Sequence, residues 1–317
     1  SARGRVAVIG TTSTFSEQSR AGAGRPDFSG RPGVNALRHN LVHHVEREFF
    51  DSLQRGMEAL GYKDIQDARR SFGFRGLEEA THETTEIEFL ENKFSLGEEF
   101  GVSTSVNQDD LDGMAKWIRG ATKQADWVVY GAHCHESGNT GEFHGITRVS
   151  PPEFLIEAAH WAIDQGADLF AGHGPHFLRG IEIYKNRPIF YSLGNFIFQN
   201  ESVLWMPDEA YRRFNLGYDQ TPGDYLDTRS GSGKRAFAAD PVFWNSVVAV
   251  CEYTQGTLDQ VLLYPIDMGY GRPIPQRGRP VLSTREVGDE TLRWLQKVSG
   301  PFGTEISITE GVGIIRL

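Results

Sequence analysis

Two cysteines in 317 residues, Cys134 and Cys251, are too few for a disulfide framework. One of them lies inside a histidine cluster, so cysteine usage leaves the redox compartment open. No apolar run approaches the roughly 18 to 20 residues that span a bilayer, and no membrane span is expected. Positive charge is in deficit. Lys and Arg number 32 against 42 Asp and Glu, a net charge of −10, which argues against general nucleic-acid binding and against adhesion to anionic membranes. No internal repeat, low-complexity tract or signal peptide is visible, and the location, cytoplasmic or extracytoplasmic, stays open. What remains is a globular composition, 39% hydrophobic and 23% charged, long enough for one large core or two small domains.

Histidine is what the chain has in pattern. His133-Cys134-His135-Glu136 and His173-Gly174-Pro175-His176 are compact clusters, each placed just after a strand-like apolar run, Asp126 to Tyr130 and Ala167 to Ala171. Ligand sites of α/β proteins lie at such strand ends. Between the runs, Phe154, Leu155, Ala158, Ala159 and Ala162 mark one face of a helix over Pro152 to Gln165, closed by Gly166. A strand-helix-strand unit therefore brings both clusters to one sheet edge. His133 and His135 project from the same side of an extended chain. With Glu136 beside them they can hold a divalent ion, and the Gly-Pro turn lets His173 and His176 converge on it. The bland alternative is a set of loop histidines satisfied by hydrogen bonds.

Elsewhere, Arg5 to Gly10 reads as a short apolar strand of the kind that needs neighbours on both sides. So abrupt a start leads us to expect sequence upstream, removed or supplied by a companion chain. Ser16 to Gly33 reads as a long loop, Asn35 to Phe50 as a helix, and Phe49 to Tyr62 as its continuation or a second one. Glu86 to Leu90 alternates like an exposed strand or hairpin, and Gln108 to Gln124 is a helix whose acidic first turn and basic end match the macrodipole. Gly180 to Tyr184 and Pro188 to Leu193 form a hairpin. Residues 200–240, low in strand signal, read as an insertion or lid. Val242 to Tyr253 and Leu258 to Pro265 pair as strands, Asp289 to Val298 is a short helix, and Ile306 to Leu317 closes the chain as a hairpin. His39 and His43, four apart on the expected helix, suit either a metal or a solvated helix face. His160 reads as a core or interface residue, Glu142 and His144 as loop residues near the site or facing water, and Cys134 as buried and inert.

Several segments together carry a resemblance. They are Gly166-Ala167-Asp168, Gly172-His173-Gly174-Pro175-His176, Gly180-Ile181-Glu182-Ile183-Tyr184 and Tyr191-Ser192-Leu193-Gly194-Asn195-Phe196, after a His-containing loop with a Glu. The order resembles the CapA/PgsA family of poly-γ-glutamate capsule synthesis proteins, built on a calcineurin-like metallophosphatase fold. Leu263 to Ile266, Arg277-Gly278-Arg279-Pro280 and Phe302-Gly303-Thr304 resemble the family's C-terminal pattern, and Arg31-Pro32-Gly33-Val34-Asn35 resembles a subgroup feature. The resemblance implies an α/β protein, a four-layer α/β/β/α sandwich over residues 1–317 as a single domain, with the N-terminal portion of the fold not in this chain. The family's opening Gly-Asp turn and Asn-Asn-His segment, which resemble metallophosphatase ligands, have no match here. Its usual His-Pro-His turn is also altered, since position 174 is Gly and the paired histidine is His173.

The resemblance further implies one or two divalent ions (Zn, Mn or Fe) held by His133, His135, His173 and His176. Glu136 would be a ligand, an orienter or a general base, and Asn195 an oxyanion donor or a turn tether. Arg148 and Arg179 would be clamps for an anionic substrate or surface charge. The implied activity is hydrolysis of an amide or phosphoester bond in a small-molecule, γ-glutamyl or peptide-like substrate by metal-activated water. The alternative is a non-catalytic binding or scaffold subunit in capsule synthesis or export.

Overall fold

The computed structural model describes residues 4–72, 85–138 and 149–317. In chain order its elements are β1 (Val6–Thr12), β2 (His39–Val45), α1 (Arg47–Ala59), α2 (Tyr62–Ser71), β3 (Glu86–Phe89), β4 (Asn92–Leu96), β5 (Gly101–Val106) and α3 (Gln108–Ala121). There follow β6 (Trp127–His133), α4 (Glu153–Asp164), β7 (Leu169–His173), β8 (Ile181–Tyr184), β9 (Arg187–Phe190), α5 (Asp208–Arg212) and α6 (Pro222–Ser230). The chain ends with β10 (Asn245–Thr254), β11 (Thr257–Asp267), β12 (Val281–Leu282), α7 (Arg285–Ser299), β13 (Ser307–Thr309) and β14 (Val312–Arg316).

The first sheet has the order β1-β6-β7-β9-β8. Its first four strands are parallel, and β8 returns antiparallel to β9 through Lys185 and Asn186, both at positive φ, the conformation of a two-residue primed turn. Strand β6 alternates, burying Val128, Tyr130 and Ala132. Helix α4 buries the five apolar residues that its spacing foretells, and α3 is capped by Asn107 accepting from the Asp110 amide. With Phe170 of β7 these residues make one apolar cluster beneath the sheet. The second sheet, β10-β11-β14-β13 with β12 beside β11, sets Val247, Val261, Leu263 and Ile315 against Leu178, Ile181 and Phe190, and against Leu292, Leu295 and Val298 of α7. The result is the layered, mixed α/β architecture that the sequence led us to expect.

A third sheet, β3-β4-β2-β5, corrects one expectation. Residues 39–45 are a central strand and not the middle of a helix over Asn35 to Phe50. Strand β2 pairs with β4 on one side and β5 on the other, and this pairing overrides a local pattern with Val42 and Val45 among its few apolar residues. The helix begins at Arg47. Strand β1 is also placed differently. Ala7 and Ile9 pack on the core, but Val6 and Val8 are 61% and 73% exposed. On its far side, among the described residues, only the bridge from Thr12 to Ala36 pairs with it.

Core and edge positions should separate sharply. Phe170 is fully buried and stacked 5.8 Å from Tyr130, so Phe170→Ala is expected to cost about 3–5 kcal/mol. Val8→Thr, at the exposed edge, should stay within about 0.5 kcal/mol. Denaturant unfolding of both variants checks the pair, and equal losses would contradict this placement.

Candidate functional site

The site begins as a row in the first sheet. Parallel register sets Thr12 against His133 and His133 against His173, and neighbouring strands stand only about 4.8 Å apart. The two imidazoles at the carboxyl ends of β6 and β7 therefore meet, with Nδ1 to Nδ1 at 3.0 Å and ring centroids 5.0 Å apart. His135 falls on the same side as His133, and their Nε2 atoms are 3.0 Å apart. The His135 ring lies 5.6 Å from that of His176. All four histidines of the two clusters are thus one connected group.

Gly174 makes the approach of the two loops possible. It sits at φ +126°, and a Cβ there would lie 2.7–2.9 Å from the Cys134 backbone, inside any real contact. The Cys134 amide donates to the His173 carbonyl at 2.8 Å across the same gap. His176 follows at φ +68°, a left-handed conformation uncommon for a residue with a side chain, and one that concentrates at functional sites.

Asn195 has a different task from the expected oxyanion donor. Its Nδ2 donates to the carbonyls of His176 at 3.2 Å and Phe243 at 2.9 Å, and its Oδ1 contacts His176 Nδ1 at 2.8 Å. Both amide protons are thereby spent. Because Oδ1 is an acceptor, His176 Nδ1 carries the proton and its Nε2 is left with a lone pair, the arrangement that prepares a histidine to ligate.

Glu136 is half-buried. Ser13 Oγ donates to its Oε2 at 2.6 Å, and Cys134 Sγ at 3.1 Å. Burial pushes this carboxyl up, but these hydrogen bonds, its own backbone N–H and nearby His39 outweigh burial and hold it below its ordinary 4.5. Cys134 is buried as expected, and burial with the adjacent carboxylate pushes its thiol up to about 12, so it remains an unreactive thiol. Arg179 is not surface charge. It is 1% exposed, its Nη2 donates to Ser137 Oγ at 3.1 Å, and burial lowers its pKa to about 10 against the pull of Cys134 and Glu136. It braces the loop behind Glu136 from inside the protein. Arg148, Glu142 and His144 lie outside the described residues.

The histidines of β2 and α4 have other ring partners. On β2, His39 stacks on Phe154 at 4.1 Å and His43 on Phe94 at 5.1 Å, so they do not form the helical metal pair. His160 contacts Glu182 at 2.9 Å and stacks on Tyr184, an interface role as expected. Two contributors escape the sequence patterns. Ser13 is signalled only by its place one residue past β1, whose end lies beside that of β6. Phe237, whose ring is 5.1 Å from that of His176, comes from the patternless insertion and has no signal.

The donor set fits a divalent cation in kind. Burial first, and neighbouring imidazoles second, hold His133, His135 and His173 below their ordinary 6.5, favouring the neutral form that binds metal. Nitrogens sharing one tetrahedral ion stand about 3.3 Å apart, near the 3.0 Å contacts seen here. Those contacts use opposite nitrogens of His133, and among the described residues no three His, Cys, Asp or Glu donors converge on one point.

Two outcomes follow. Gly174→Ala should lose about 1–3 kcal/mol and separate His173 from His133, visible as independent imidazole resonances in an NMR titration; unaltered resonances would contradict the steric account. For pH, the three depressed imidazoles take up protons near 6.5 when unfolded but only lower when folded. In that window the unfolded state binds more protons, so stability falls on acidification through 6.5 and levels off below the folded values. Melting temperatures of chelator-treated protein at about pH 7.5 and about pH 5.5 test this, with a shallower slope expected for His173→Asn.

Comparison with known proteins gives the family. A family model described as bacterial capsule synthesis protein PGA_cap matches residues 2–200. Two uncharacterised proteins of Sinorhizobium fredii, y4sH and y4uA, are each 35% identical to this chain over 328 aligned residues, covering 100% of it and 65% of their own length. The capsule biosynthesis protein CapA of Bacillus anthracis is 34% identical over 115 residues, 36% of this chain and 26% of the relative. The chain thus spans about two-thirds of the Sinorhizobium relatives. By the family model, which covers more than half of its residues, the chain belongs to the bacterial capsule synthesis protein (PGA_cap) family.

Proposed function

We propose that the chain carries the histidine centre of a metal-dependent hydrolase, acting on an amide, γ-glutamyl or peptide-like, or on a phosphoester. The observation behind this reading is the four-imidazole group at the strand ends, with His176 fixed in a ligating tautomer by Asn195. His133, His135, His173 and His176 would hold one or two divalent ions of zinc, manganese or iron type. Such an ion supplies Lewis acidity, lowering the pKa of water from 15.7 toward about 7.

The chain's own groups do the rest. Glu136, kept ionised by Ser13 and Cys134, is the acceptor next to the imidazoles and serves as the base that takes a proton from water. Arg179 balances that carboxylate from beneath and holds Ser137, so the loop keeps its shape as charge shifts above it. The Nδ1 atoms of His133 and His173 stand 3.0 Å apart, so with both rings neutral and no ion between them one donates and the other accepts. The relative named as a capsule biosynthesis protein suggests a polymer-linked setting, which favours a glutamyl or peptide-like amide as the bond cleaved.

Metal analysis of purified protein, with turnover of phosphoester and γ-glutamyl amide panels before and after chelation, tests the proposal. We expect close to one ion per chain or more, and activity lost with chelator and regained with metal. Asn195→Ala, which frees the His176 ring, should weaken metal affinity about 10–100-fold. Metal in only a small fraction of chains, together with no turnover of any substrate class, would sink the reading.

A further inference from the structure

Between the insertion and residues 272–277 lies a cavity of about 550 Å³, within the size range of small-molecule sites. Its aromatic wall joins it to the histidine group. Phe198, Phe237 and Trp244 line it, and the Phe237 ring also stands edge-on to His176 with centroids 5.1 Å apart. Phe198 bridges the other two rings, 5.2 Å from Phe237 and 5.3 Å from Trp244. The Trp244 indole N–H is already used, donating to the Phe237 carbonyl at 2.8 Å. This wall therefore offers a ligand apolar surface and no free side-chain donor.

Helix α6 supplies the charge. Leu226, Arg229 and Ser230 line the cavity at i, i+3 and i+4, the spacing that shares one helix face, and all three are half-buried. Asp227 also borders the cavity, but it is exposed and stands about 200° around the helix from Arg229. Among the described residues no carboxylate pairs with Arg229. Its guanidinium lies over the Phe237 ring, 5.6 Å from the ring centre, a placement that keeps N–H groups available to a ligand.

The other cations of the lining are committed. Arg277 donates to Glu201 through both Nε and Nη2, and Arg272 is paired with Asp267 at 3.2 Å. One half-buried guanidinium without a carboxylate therefore remains, in a chain whose net charge is −10, and it matches a single negative charge. A planar carboxylate fits the fork of one guanidinium. A phosphate dianion would leave one charge unmatched.

We propose that this cavity binds a monocarboxylate with an apolar body, Arg229 taking the carboxylate while Phe198, Phe237 and Trp244 pack against the body. Recognition needs no metal, and only what the bound molecule undergoes rests on the hydrolase reading. Because Phe237 borders both Arg229 and His176, the bound carboxylate stands one aromatic ring from the histidine group. Arg229 is then a specificity residue.

Calorimetric titration of the full chain with hydrocinnamate, its neutral amide and phenyl phosphate tests the proposal. Hydrocinnamate should bind at least about ten-fold tighter than the amide, with phenyl phosphate no tighter than hydrocinnamate. Arg229→Gln should lower the affinity for hydrocinnamate to that of the amide and leave the amide within about three-fold of its wild-type affinity, which controls for folding. Arg229→Lys, which keeps the charge and loses the fork, should show an intermediate preference. The proposal is overturned by hydrocinnamate and amide binding within about three-fold of each other, or by phenyl phosphate binding about ten-fold tighter than hydrocinnamate. No binding of any probe at about millimolar concentration, or a preference unmoved in Arg229→Gln, would overturn it equally. His173→Ala separates the two readings, since loss of metal and turnover with probe binding intact is expected. A metal-free, inactive wild type that still prefers the carboxylate defeats the hydrolase reading alone. An active wild type that binds carboxylate and amide alike defeats the pocket alone.

Discussion

The parallel register of β6 and β7 is the constraint on which the site depends. Because His133 stands opposite His173 in the ladder, the hydrogen bonds of the sheet fix the distance between two rings that electrostatics would separate if both were charged. The backbone wins because a ladder cannot slip by one residue without turning Tyr130 and Phe170 out of the core. Burial first, and the neighbouring imidazoles second, favour the neutral rings, the form in which nitrogen lone pairs remain for a cation or a shared proton. His135, two residues along the same chain, inherits its position from the same geometry.

Around that fixed pair the loops are shaped by polar groups that have little freedom. Cys134 turns its sulfur inward and, after Ser13, donates to Glu136, which helps keep that carboxylate ionised. Arg179 lies wholly inside, where an unbalanced cation would be costly; the nearby carboxylate of Glu136 offsets it. Glu136 lies beside the imidazoles and Arg179 behind it, and Arg179 Nη2 holds the loop through Ser137.

How much of this was legible in the sequence depended on how local each cause is. The strand-helix-strand unit and both clusters could be read because period-two and helical spacings reside in consecutive residues, and β6, α4 and β7 follow them. Residues 39–45 could not, because their strand is made by partners 51 to 67 positions away in β4 and β5. Asn195 and Arg179 were visible as residues but not in their roles. The Asn195 amide is committed to Phe243, 48 residues on, and spacing along the chain contains no trace of that bond. Val6 and Val8 show the reverse case, an apolar pattern correctly read as a strand whose surroundings the pattern could not specify.

The insertion extends the same logic outward. Phe237 and Phe198 do not touch the backbone ladder, yet they close one side of His176, and Gly278 clamps the Phe198 segment, where a Cβ would lie 2.2 Å from the Phe198 carbonyl. The segment around Arg277 and Gly278, far from the histidines in sequence, is thereby tied to them in space. A change at Phe237 would be felt on both sides of one ring, by the imidazole and by whatever fills the cavity. Phe237 and Phe198 thus border the imidazole and the cavity together.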